Sequence, residues 1–391
     1  MTAISRIGLA VAALLLLAGC WDRTEINDVA FILSTGIDLE KDGSVRYTVM
    51  LPLPGSMGGA TGGGGGTGGG GGKSYYLDSE TGKTYREAQS KMQRRMARRM
   101  VLAHRRTVLI GEDFARDQGV MGVFDATPRS PESRMTTYFI VTEGKSYDLL
   151  QATPQFERFP SEAIRELAKS KMVIDMNLKD FALALTLPGS DPVAIHMGVR
   201  ESQQSLKTSK EVQILGYSQF KKDKLVGTLE GRAAAGLTWL KAGSINIGAT
   251  LLAKDQYINV RVFDTESRIK ANVGDDQLSF DIAVSTKAKI VESGDYYDFS
   301  QPGKVTEIEE LLSAYIKKSI EETLKQMVDK ETDSAQLGNY IWQAYPQHWA
   351  NTYEKVWPKP LKSAKFNIQV NSILTETGLI YDNIIKSETG L

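Results

Sequence analysis

Few side chains in this 391-residue sequence could do covalent chemistry. There is 1 cysteine, Cys20, which excludes an intramolecular disulfide framework and any multi-thiolate zinc site. Only His104, His196 and His348 could serve as imidazole bases or ligands, too few for a histidine-rich metal centre. Ser267-Arg268-Ile269-Lys270 has the S-x-x-K spacing of penicillin-recognising enzymes, but it falls inside an expected strand rather than at a helix start. The motifs that accompany it in those enzymes, and the G-x-S-x-G and H-E-x-x-H patterns, are missing. Glu309-Glu310 and Glu321-Glu322 are neighbours on one helix and point apart, so neither makes an acid/base pair. Gly72-Lys73-Ser74 and Gly82-Lys83-Thr84 end like phosphate-binding loops, yet the required earlier glycine is Thr67 in one and Leu77 in the other. No enzyme, cofactor or metal is expected on these grounds.

The chemistry that remains is lipid attachment. Arg6 precedes an apolar stretch, Ile7–Leu17, which as a helix reaches about 16 Å against a bilayer core of about 30 Å. That is the pattern of a secretory signal rather than a transmembrane helix. Cys20 directly follows Leu17-Ala18-Gly19, which resembles the bacterial lipobox, where a signal peptidase cuts before a lipid-modified cysteine. Residues 1–19 are therefore expected to be a signal peptide, and Cys20 the acylated N-terminus of a membrane-held chain. One acyl chain anchors only marginally, so several chains are needed for stable attachment.

Charge offers no global field: Lys plus Arg is 47 and Asp plus Glu is 47, which argues against nucleic-acid binding. One local patch departs from neutrality. Between Arg86 and Arg106 there are eight basic residues and one acid, Glu87. The spacing of Tyr85, Ala88, Met92, Met96 and Met100 predicts a helix over 84–103, with Lys91, Arg94, Arg95 and Arg98 on its opposite side. These four are the candidate contacts for anionic lipid or an acidic partner, or else a solvated face whose charges pair with acids elsewhere in the fold.

The elements that must carry these residues read as α+β, a multi-domain mixed α/β chain. Val29–Ile37 and Val45–Leu53 flank Asp42-Gly43 and predict an opening β-hairpin. Glycine then fills 13 of the 18 positions 55–72, too little side chain to offset ordering entropy, which predicts a flexible insertion. Strands over 106–110 and 135–142 alternate with helices over 112–126, 146–150 and from Pro160. The polar run 200–210 is the expected domain boundary. The expected division is a mixed α/β domain over 20–150, a middle subdomain and linker over 151–205, and an α+β domain over 206–391.

The C-terminal part has a different texture. Val212–Phe220 and Leu225–Leu229 predict a hairpin, followed by a short helix through Trp239. Gln256–Asn272 and Gln277–Glu292 predict long strands joined at Gly274-Asp275-Asp276, and Thr306-Glu307-Ile308-Glu309 reads as a capping box opening a helix to about Lys330. The broad apolar stripe of that helix is expected on the long antiparallel sheet. Asp333 is placed to cap the next helix. Tyr340, Trp342, Tyr345, Trp349, Tyr353 and Trp357 follow, read as core packing with a ligand cage as the alternative. A strand over 366–370 closes the chain.

Several segments together resemble a known group. Cys20-Trp21-Asp22-Arg23-Thr24-Glu25-Ile26-Asn27-Asp28, Pro131-Glu132-Ser133-Arg134, Phe220 through Gly227 and Tyr345-Pro346-Gln347-His348-Trp349 are similar to the Ger(x)C lipoproteins, the C subunits of spore germinant receptors. The resemblance implies a non-catalytic subunit of mixed α/β domains, lipid-anchored through an acyl chain such as palmitate on Cys20. It implies assembly with polytopic A and B subunits on the extracytoplasmic face of the spore inner membrane. The competing reading is a solute-binding lipoprotein, which only the aromatic cluster at 340–357 favours.

Overall fold

The computed structural model describes residues 25–53, 74–127, 129–130, 132–204, 206–241, 243–274, 277–293, 299, 301 and 303–376. The expected signal peptide, Cys20, the glycine tract 55–72, Pro131 and the turn residues Asp275 and Asp276 lie outside them.

The apolar β-branched runs of the first 230 residues assemble into one eight-stranded mixed sheet. Its strands are β2 (Ser34–Leu39), β3 (Val45–Pro52), β4 (Tyr75–Gly82), β6 (Thr107–Gly111), β7 (Tyr138–Thr142), β8 (Val193–Glu201), β9 (Lys210–Lys221) and β10 (Lys224–Glu230). They lie side by side as β10-β9-β8-β7-β6-β2-β3-β4. The centre, β2-β6-β7-β8, is parallel, and hairpins extend it antiparallel at both ends. Parallel central strands are covered on both faces, which explains their continuous burial. Val108, Ile110, Phe139 and Val141 face one core, while Leu109, Ile140 and Ile195 face the other, as the period of two demands. The opening pair β1 (Val29–Phe31) and β5 (Arg99–Val101) forms a small parallel ribbon beside the main sheet.

One face carries α1 (Tyr85–Gln93), α2 (Met121–Ala126) and α5 (Leu178–Thr186). There Phe124, Phe139, Phe181 and Phe220 form a ring cluster with centroid separations of 4.6–5.2 Å. The other face carries α3 (Ser146–Leu150) and α4 (Pro160–Ala168). Buried Asp38 on β2 fixes α3 by accepting from Ser146 N at 2.6 Å, Ser146 Oγ at 2.8 Å and Tyr147 N at 3.2 Å.

The helix expected over 84–103 stops at Gln93, a correction with two causes. Basic side chains at spacings of three and four repel along a continuing helix. Arg99–Val101 instead gains ladder bonds to Val29–Phe31, a pairing that no local pattern announces. The Gln93 side chain closes the turn between, donating to Arg98 O at 2.9 Å and accepting from Met100 N at 2.9 Å.

The polar run 200–210 is the connection of an antiparallel hairpin, since β8 and β9 pair from Val193↔Gln219 to Glu201↔Lys210. Beyond β10 come α6 (Gly231–Lys241), β11 (Gly243–Ala253), β12 (Gln256–Val273) and β13 (Leu278–Glu292). After these follow α7 (Lys304–Asp329), α8 (Leu337–Ala344) and β14 (Lys365–Glu376). The second sheet runs β11-β12-β13-β14, antiparallel except for the parallel β13–β14 pair. The two long strands are where the alternation put them, whereas β11, rich in small residues, had no expected counterpart.

α7 buries Ile308, Leu312, Ile316, Ile320, Leu324 and Met327 against α6 and the sheet. The capping box is corrected: the helix begins at Lys304 after Gly303, so Thr306 lies within the first turn and caps nothing. Gly236 allows α6 to meet α7 closely, since a Cβ there would stand 2.1 Å from both Ser319 O and Thr323 Oγ1. One core runs without a break from beneath the large sheet to the small one.

Candidate functional site

The described chain begins at Glu25, five residues past Cys20, so a fully extended link reaches about 17 Å. Ile26–Asp28 forms a short turn whose Asp28 carboxylate accepts Glu25 N at 3.2 Å. It leaves Ile26 78% exposed. This turn, β1, the end of β3 (Leu51–Leu53), Tyr76 and the 95–98 turn border a largely apolar groove of about 730 Å³. Leu53 and Tyr76 are exposed at its edge. The Leu53 N–H donates to Ser74 O at 2.9 Å, so the chain departs toward the glycine tract and returns at the mouth of the groove.

The four basic candidates divide into two pairs. Lys91 meets Glu87 at 3.1 Å and donates to Thr81 O at 3.1 Å. Arg95 clasps Asp78 at 2.7 Å, donates to Ser79 O at 2.6 Å and also binds Glu80. Those carboxylates push the Arg95 guanidinium above its ordinary range, so its charge is satisfied within the fold. Arg94 and Arg98 are exposed and make no ion pair among the described residues. Arg98 lines the groove, so an exposed cation with no ion pair among the described residues stands beside exposed apolar surface. Sequence periodicity grouped all four on one helix face; it had no means of seeing that Asp78 and Glu80 on β4 would claim Arg95.

Other candidate chemistry resolves into structure. Ser267 and Lys270 lie on β12, and an odd separation sends them to opposite faces. Gly82-Lys83-Thr84 does lead into a helix, but Glu87 accepts Lys83 N at 2.7 Å and Thr84 Oγ1 accepts Glu87 N at 3.2 Å, occupying that N-terminus. His196 Nδ1 lies 2.9 Å from Ser218 Oγ across β8–β9, a pair with no sequence signature. Both residues are buried, and burial holds the imidazole below its ordinary pKa, hence neutral. This is an internal polar pair rather than an accessible nucleophile.

The aromatic run packs ring against ring. Trp349 lies 5.3 Å from Trp357, and Tyr353 lies 6.0 Å from Trp357. Trp349 and Tyr353 are buried, Tyr340 and Trp357 half-buried, and Trp342 and Tyr345 remain at the surface. The Trp357 indole donates to Asp333 at 2.9 Å, and Asp333 accepts Leu337 N at 2.8 Å and Gly338 N at 2.7 Å, capping α8 as expected. No helix among the described residues is long and apolar enough to cross a membrane.

Comparison with known proteins accounts for nearly the whole chain. Residues 22–199 match the spore germination protein N-terminal domain, and residues 216–378 match the spore germination B3/GerAC-like C-terminal domain. The putative spore germination protein YfkR of Bacillus subtilis (strain 168) is 33% identical over 372 residues, covering 95% of this chain and 96% of that protein. Spore germination protein KC of the same strain is 25% identical over 403 residues, covering 97% of each. The crystal structure of the GerBC protein superposes with a TM-score of 0.57 at 14% identity, over 87% of this chain and 96% of that one, a likeness of fold. The mixed α/β architecture, the collinear matches and the extent of coverage agree, and the chain belongs to the Ger(x)C family of spore germination proteins.

Proposed function

We propose that this chain is a non-catalytic, lipid-anchored subunit of a nutrient germinant receptor, acting in spore germination. In this reading Cys20 carries the acyl anchor on the extracytoplasmic face of the spore inner membrane, and the folded domains assemble with polytopic A and B subunits. The observation that carries the reading is the end-to-end match to proteins of spore germination, one of them 33% identical to this chain. The position of the single cysteine directly after Leu17-Ala18-Gly19 supports the anchor. The groove beside Arg94 and Arg98, lined by Ile26 and Asn27 near the start of the described chain, is the surface we assign to membrane or partner contact.

The test is affinity capture of the protein from spore membranes beside a Cys20→Ala control, with labelled palmitate fed during sporulation. Label on the wild type alone, together with two co-purifying polytopic proteins, is the expected result. Recovery of no membrane partner by a labelled, folded protein would overturn the receptor-subunit reading, and an unlabelled wild type would overturn the anchor.

A further inference from the structure

We propose that a small space beneath α1, between Arg105 and Tyr47, is a binding site for a monovalent anion of chloride size. Thr35, Tyr47, Arg86, Gln89, Arg105, Ser130 and Ser133 are among the residues that line it. The free volume is about 10 Å³, room for one water-sized occupant.

Arg105 is 8% exposed, in the link between β5 and β6. Its Nη2 donates to Ser133 Oγ at 2.8 Å, and its Nε is buried without an acceptor. The ionisable groups beside Arg105 are Tyr47, Tyr85 and Arg86, none of them a carboxylate. Arg86 brings a second guanidinium, donating to Ala126 O at 2.6 Å, Ser130 Oγ at 3.0 Å and Gln89 Oε1 at 2.9 Å. The acid that acts on Arg86 from nearby, Asp125, is itself held by Arg129 at 2.8 Å. A guanidinium stays protonated at any working pH, so this buried positive charge has no counter-ion from the described chain.

The hydrogen-bonding census points the same way. Ser130 and Ser133 accept from the arginines and so keep their O–H protons to donate. Thr35 Oγ1 is buried with no partner, and the buried Tyr47 lines the same space. The carbonyl and amide oxygens around the space are engaged: Ala126 O and Gln89 Oε1 by Arg86, and Val123 O by Thr127 Oγ1 at 2.7 Å. A water molecule here could donate only to hydroxyl oxygens, and it would leave the buried guanidinium charge uncompensated. A halide only accepts, and it supplies the missing charge. Phosphate or sulfate is too large for the space.

The test uses the full chain in non-ionic detergent, with thermal midpoints measured in chloride, bromide or gluconate at constant ionic strength. Chloride and bromide should raise the midpoint saturably, by about 2–4 °C over gluconate. Arg105→Gln should lose that increment. Ser133→Ala, which removes one donor and keeps the charge, should shift the halide titration to higher concentration even if the arginine variant folds poorly. An anomalous bromide peak within hydrogen-bond reach of Arg105 Nε would locate the ion. Equal midpoints in all three anions, or an undiminished increment in both variants, would overturn the site.

Discussion

Asp191 Oδ2 accepts the backbone N–H of Asp333 at 2.8 Å, joining the approach to β8 with the approach to α8 across 142 positions of sequence. Asp191 N returns a bond to Asp333 O at 3.2 Å, and Asp191 Oδ1 accepts Lys222 N at 3.1 Å. Two nearly enclosed carboxylates thus tie the large sheet to the helices of the C-terminal part, each satisfied by donors from a different stretch of chain.

Burial pushes Asp333 up to about 7, against the partial relief given by Gly338 N, Leu337 N and Trp357 Nε1. Between about pH 4 and 7 the folded chain therefore keeps a proton that the unfolded chain has released. This group favours the fold at low pH and loses that contribution as pH rises through 7. The full span is worth roughly 4 kcal/mol. Asp333→Asn mimics the protonated carboxyl and removes the titration. Urea unfolding should show the wild type's advantage over this variant shrinking from pH 5 to pH 8; a gap independent of pH would contradict the assignment.

Gly338 sits in α8, where alanine would ordinarily stabilise by about 1 kcal/mol. A Cβ there would stand 2.6 Å from Gly189 Cα and 2.7 Å from Trp357 Cε2. The backbone contact cannot yield as a flexible side chain would, so overpacking of about 1–3 kcal/mol outweighs the propensity gain. Gly338→Ala should lower the unfolding free energy despite being a better helix former.

Arg95 and Arg98 should separate structure from contact. Arg95→Ala removes an exposed clasp on Asp78 and Glu80 and should cost at most about 1 kcal/mol in stability. Arg94→Glu with Arg98→Glu breaks no ion pair among the described residues, so the thermal midpoint should stay within about 2 °C while receptor assembly falls several-fold. Capture of the partners at wild-type yield by the folded double variant would remove this surface from the proposal.

The glycine tract meets the sheet at a closed gate. β3 and β4 pair from Val45↔Gly82 to Pro52↔Tyr75, and the Leu53–Ser74 bond continues that ladder. Replacing residues 54–73 by a short turn should leave the register and the midpoint nearly unchanged, because each doubling of a connection's length costs only about 0.6 kcal/mol. Far-ultraviolet circular dichroism and thermal unfolding of the deletion variant would check this.

What could be read in advance was whatever repeats locally. The long strand β13 alternates with period two, β12 does so on either side of a bulge at Phe263, and the stripe of α7 recurs every three to four residues, so these elements were placed nearly to the residue. The turn after Gln93 was misread because Met96 and Met100 keep helical spacing while Arg99–Val101 answers to a strand some 70 residues away. The groove was invisible for the same reason, being built from β1, β3, β4 and the 95–98 turn. Nor could the sequence reveal that Arg105 is enclosed while Arg98, seven residues earlier, is exposed.

The continuity of the large sheet has a consequence for how this chain can be cut. The two family segments end at residue 199 and begin at residue 216, yet β9 and β10 complete the sheet that β2, β6, β7 and β8 begin. A fragment ending near residue 199 would present β8 as a raw edge, with Val193, Ala194, Ile195 and Met197 stripped of their cover and a row of ladder groups open to any passing strand. Such a piece is a template for self-association rather than a soluble module. The two halves recognised by homology share one sheet, and neither half holds all of its strands.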